Sequence, residues 1–94
     1  MSEDVLEKSV LDEICTLLDS IAEADTKGDA DKSISLARFQ ISNIQSALSG
    51  YAAEKLAYAF NAAKEASGRV SDKGRKIEIY QTEKYKFTRC IDTV

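Results

Sequence analysis

The stretch from Tyr51 to Ala66 places the hardest constraint on the fold. Eleven of its sixteen residues are apolar, seven of them alanine. Wound as a helix, it gathers Glu54, Asn61 and Glu65 on one narrow strip and leaves only Lys55 and Lys64 as polar residues elsewhere. A helix that is apolar around most of its circumference is covered on more than one side. Its alanines allow neighbouring backbones to approach closely. In a chain of 94 residues the cover comes either from flanking helices or from one face in the monomer and another in a homodimer. A short chain buries a smaller share of its surface than a long one, which favours the added interface. Ser67-Gly68 closes the stretch.

Two further helices are expected before it. The first spans Glu3 to about Ala24, with Ser2 as N-cap and Glu3 and Asp4 in the first turn, where the helix dipole favours negative charge. Val10, Ile14, Leu17 and Ile21 recur at helical spacing, and Leu6, Leu11 and Leu18 widen the stripe. Gly28 reads as the stop, with Asp29 or Asp31 capping the second helix. There Ile34, Ala37, Ile41, Ile44 and Leu48 keep a 3-4-3-4 spacing, the seam of an antiparallel pair. Leu36 and Phe39 lie off that seam. Ser49-Gly50 weakens two successive positions and is read as a break or kink.

Beyond Gly68 the character changes. Residues 1–68 hold 12 Asp/Glu against 6 Lys/Arg, whereas residues 69–94 hold 7 Lys/Arg against 4 Asp/Glu. Residues 69–75 form a polar connector. Ile77, Ile79, Tyr85, Phe87 and Ile91 then share one parity, which predicts strands at about 76–81 and 85–91 joined near Thr82-Glu83-Lys84. No Gly, Asn or Pro marks that turn, so a single long strand is the alternative. The expected fold is mainly α with a small C-terminal β element: two or three antiparallel helices followed by a β-hairpin or single strand. It forms one domain over 1–94, with an acidic helical body at 1–68 and a basic β-like tail at 69–94.

The absence of histidine removes Ser-His-Asp and Cys-His chemistry, a histidine general base and the histidine-containing zinc sets. Cys15 and Cys90 are far apart and read as free thiols in a reducing compartment. Asp12, Glu13 and Asp19 read as a solvated helix face. The run Glu23–Asp31 has a glycine at the sixth place of a calcium loop. Lys27 occupies a ligand position, however, and Ile34 stands where the bidentate glutamate belongs. No phosphate-binding glycine loop is present. No cofactor, metal or catalytic residue is assigned, and the chain is not expected to be an enzyme. It has no apolar run near the ~18 residues of a membrane span, and its acidic start, Met1-Ser2-Glu3-Asp4, is not expected to be a secretory leader. These features point to the cytoplasm and away from a membrane.

Two sets of residues are candidates for contact. Phe39, Tyr51 and Tyr58 are proposed interface anchors, since aromatics often dominate interface energetics. Arg75, Lys76, Lys84, Lys86 and Arg89 lie among Tyr80, Tyr85 and Phe87, a mixture that suits phosphates and bases on a β-ribbon. The plainer readings are that the tail neutralises the acidic body or guards a strand edge with lysines. The function expected first is that of a small non-enzymatic interaction or regulatory protein, a homodimer that binds another protein. The alternative is nucleic-acid binding through the basic tail. A weaker one is an acidic inhibitor, of the kind encoded by phages and plasmids, that occupies a basic groove of a host protein.

Overall fold

The computed structural model describes residues 4–94. In order, its elements are β1 (Val5–Leu6), α1 (Lys8–Glu23), α2 (Lys27–Ile44), a single 3-10 turn (Gln45–Ala47), α3 (Gly50–Ala66), α4 (Lys73–Thr88) and β2 (Asp92–Thr93). The fold is mainly helical with a small two-stranded sheet. α1 packs against α2 and α3, and α3 makes its most extensive contact with α4. α3 is therefore covered from two sides, as its composition demands. Ala52, Leu56, Ala59, Ala62, Ala63 and Ala66 are its buried residues. Their small side chains let α1 and α4 approach closely, and the larger core groups come from the neighbours: Ile14, Leu18 and Ile21 from α1, Tyr80 and Phe87 from α4.

The basic tail is not a hairpin. Residues 76–88 lie within α4, and the only strand after Gly68 among the described residues is Asp92–Thr93. Ile77, Tyr80, Lys84, Phe87 and Ile91 recur at 3-4-3-4 spacing, a helical seam that the period-two reading splits between two faces. As a helix, the segment satisfies its own backbone and still buries Tyr80 and Phe87, which are 2% and 0% exposed. An isolated hairpin gains neither. The missing turn residue at 82–84 has the same explanation, since no turn is needed there. β2 pairs with β1 in parallel, Val5 opposite Asp92 and Leu6 opposite Thr93, so the small sheet joins the two ends of the described chain.

α1 begins at Lys8, later than expected, and has no side-chain cap. Ser2 and Glu3, expected as its cap and first turn, lie outside the described residues. Asp4 caps α3 rather than α1. Its carboxylate accepts hydrogen bonds from the Ser49 amide at 2.5 Å and the Ser49 hydroxyl at 2.9 Å. Ser49 Oγ in turn accepts from the Ala52 amide at 3.2 Å. Ser49-Gly50 is thus a break, but one that starts α3; α2 has already ended at Ile44. Thr26, not Asp29 or Asp31, caps α2, by accepting from the Asp29 amide at 3.0 Å. Gly28 accordingly lies inside the first turn of α2 rather than stopping α1. The predicted seam of α2 faces inward, with Ala37 and Ile44 buried and Ile34, Ile41 and Leu48 packed against the core.

Gly68 is the hinge between α3 and the α4 connector. Its φ is +81°, and its amide donates to the Ala24 carbonyl at 2.8 Å. A Cβ there would sit 3.3 Å from the Lys27 backbone nitrogen. Nearby, the Lys73 ammonium reaches four main-chain carbonyls, those of Ala22, Ala24, Ala66 and Gly68. Lys27 Nζ donates to the Lys64 carbonyl and to Ser67 Oγ, both at 3.1 Å. Two lysines thus serve the C-terminal ends of α1 and α3, where the helix dipoles favour positive charge.

Candidate interaction surface

Tyr51, Lys55 and Tyr58 stand at positions i, i+4 and i+7 of α3, along the edge of its buried face, and so form one row. Tyr51 is 62% exposed and Tyr58 46%. The Lys55 ammonium lies 5.2 Å from the centroid of the Tyr51 ring and 5.7 Å from that of Tyr58, so the cation stacks between two aromatic faces. The Tyr58 hydroxyl donates to the Glu54 carboxylate at 2.6 Å. That hydrogen bond, with the Glu54 charge, raises the Tyr58 pKa, and the charge of Glu83 on α4 adds to the rise. On α4, Ile79, 48% exposed, precedes Glu83 by one turn. Rings already held by a cation and a hydrogen bond lose less rotamer freedom when a partner covers them.

Phe39 does not join this row. It is 64% exposed and stands on α2, opposite the Ala37–Ile44 seam. Its neighbour Arg38 reaches the Phe60 ring of α3 at 5.9 Å, and Lys64 approaches the same ring at 4.6 Å. The three aromatics expected to anchor one interface are therefore a pair on α3 and a separate residue on α2.

The five basic candidates also divide. Arg75, Lys86 and Arg89 share the outer face of α4 with Ile79 and Thr82, at successive spacings of four, three, four and three residues. Lys76 is half-buried at the edge of that face. Lys84 points the other way and bonds Asp19 of α1 at 2.9 Å. Lys86 pairs with Glu83 at 3.4 Å. Arg89 donates to the Tyr85 hydroxyl at 3.1 Å and lies 5.5 Å from its ring centroid. For Lys84, then, the plain reading holds: it neutralises the acidic helical body.

Asp19 also accepts from the buried Tyr80 hydroxyl at 2.5 Å. Burial first, then this hydrogen bond and the Asp19 charge, push the Tyr80 phenol far above the ordinary tyrosine range. Burial likewise raises the pKa of the Cys15 thiol, against the lowering effect of Lys84. Both groups stay protonated near neutral pH, which suits structural roles and not nucleophilic ones. Cys15 and Cys90 are not joined in a disulfide. Among the described residues, no group of three or more Cys, Asp or Glu side chains is arranged to hold a metal ion, and no helix is long and apolar enough to cross a membrane. A shallow, open depression of about 480 Å³ is lined by Lys27, Asn61, Lys64 and Glu65, but the Lys27 amine is already engaged there.

The residue that sequence reasoning missed is Lys73. Its carbonyl partners on α1 are 49 and 51 residues away, and no local pattern signals them. No protein-family model matches the chain, and no curated protein or solved structure shows significant similarity to it.

Proposed function

We propose that the protein is a non-enzymatic interaction module that self-associates as a homodimer through the Tyr51–Lys55–Tyr58 flank of α3 and acts by binding another protein. The observation that carries this reading is the pre-stacked, exposed aromatic row that borders the buried face of α3. Tyrosines held in this way are typical interface anchors: large in area and cheap to order. The chain's lack of histidine and the protonated state of Cys15 and Tyr80 support a role in binding over one in catalysis. Sedimentation of wild type and Tyr58→Glu over a concentration series tests it. A dimeric wild type and a monomeric variant with unchanged helical circular dichroism are expected. Monomers in both, or dimers in both, would contradict the reading.

A second reading rests on the outer face of α4, where Arg75, Lys86 and Arg89 align with Thr82 as a basic stripe suited to a phosphate backbone. Three phosphate contacts would give log affinity for duplex DNA a slope of about −2.7 against log salt. Changing Lys86 and Arg89 to Ala should then flatten the slope, and salt-independent binding would exclude this stripe.

A further inference from the structure

The Lys73 ammonium is held by backbone oxygens of two helix ends. Its nitrogen lies 3.1 Å from the Ala22 carbonyl, 3.0 Å from Ala24, 2.6 Å from Ala66 and 3.0 Å from Gly68. Ala22 belongs to the last turn of α1, Ala66 ends α3, and Ala24 and Gly68 lie just beyond those helices. Carbonyls at these ends lack intrahelical donors and carry the negative pole of each helix. No carboxylate among the described residues forms an ion pair with Lys73, and its hydrogen-bond partners are all neutral carbonyl oxygens. An ammonium has three N–H groups and here meets four acceptors. The arrangement is that of a cation site, in which carbonyl dipoles replace a hydration shell.

We propose that these four carbonyls form a binding site for a primary ammonium group, with the Lys73 side chain as its resident ligand. The Gly68–Ala24 hydrogen bond, at 2.8 Å, holds two of the four carbonyl-bearing residues together independently of Lys73. The site is therefore partly organised before the ammonium enters. Truncation of Lys73 to alanine removes three carbons and the nitrogen, and n-propylammonium has those same atoms. It would restore both the apolar stem and the three N–H donors.

Thermal unfolding of Lys73→Ala in n-propylammonium chloride, against equal choline chloride, tests this. Choline carries the same charge but has no N–H to donate. In choline the variant should melt about 10 °C or more below wild type, as left-over buried carbonyls are costly. In n-propylammonium it should recover with a saturable dependence, as expected for a ligand that binds only the folded state, while wild type responds equally to both salts. If the variant is unfolded in choline, recovery is read as the return of helical circular dichroism. No difference between the two salts for the variant would overturn the proposal. Lys73→Met, which keeps the stem and removes the charge, is expected to be destabilised and unresponsive; wild-type stability in Lys73→Met would also overturn it.

Discussion

At its C-terminal end α3 is enclosed. Lys27 and Lys73 occupy its last carbonyls, Ser67 Oγ donates to the Lys64 carbonyl at 2.6 Å, and Gly68 bonds across to Ala24. Midway along the same helix, Lys55 has two ring faces as its neighbours and the rings themselves face outward. Both places use lysine and both lie on α3, yet one is saturated by its own chain and the other is not. In the first, the polar groups match each other and nothing remains for a ligand. In the second, the aromatic area exceeds what the monomer covers. The contrast separates residues that hold the fold from residues available for contact, and it does so on one element of nearly uniform composition.

The largest effect should fall at the enclosed end. Gly68→Ala combines a left-handed backbone with a Cβ close to the Lys27 backbone, and should cost about 1–3 kcal/mol in denaturant unfolding. A neutral result would mean that this end is looser than its contacts imply. Alkaline pH sharpens the same distinction on the inner side of α4. The unfolded Tyr80 phenol ionises near pH ~10, whereas the folded one keeps its proton to higher pH. Above that value the folded state binds more protons, so stability falls as pH rises and is intact below it. Tyr80→Phe should unfold with a shallower alkaline dependence than wild type, the lysines being common to both. The smallest effect on stability should come from the open flank. Tyr58→Glu adds a like charge four residues from Glu54 and should shift stability by no more than about 0.5 kcal/mol while abolishing self-association. A large loss of stability would place Tyr58 with the enclosed residues instead.

The distribution of apolar residues makes α3 legible in the sequence alone, because a helix apolar on most sides has few ways to be covered. The seam of α2 is legible for the same reason. The tail misleads because Lys84 interrupts its helical seam. Its long side chain spans the edge of the core to reach Asp19, so a polar residue stands where an apolar one is expected. Tyr80 and Phe87, two turns apart, carry the correct signal, as does the absence of any turn residue between the supposed strands. The caps are hard to place because Asp4, Thr26, Asp29 and Ser49 are all competent, and Asp4 serves Ser49 from a segment whose carbonyl accepts from the Asp92 amide. The division of the aromatic candidates is likewise hidden. Phe39 is off the seam of α2, but only the packing of α2 on α1 keeps it apart from Tyr51 and Tyr58.

Isotope-filtered NMR on a mixture of labelled and unlabelled protein would test the proposed contact most directly, since it reports only proximities between copies. Intermolecular signals to the ring protons of Tyr51 and Tyr58 are predicted, with none to Tyr80 or Phe87. Signals confined to Phe39 or to the outer face of α4, or none at concentrations where the strip should be covered, would contradict the assignment of the α3 flank as the interaction surface.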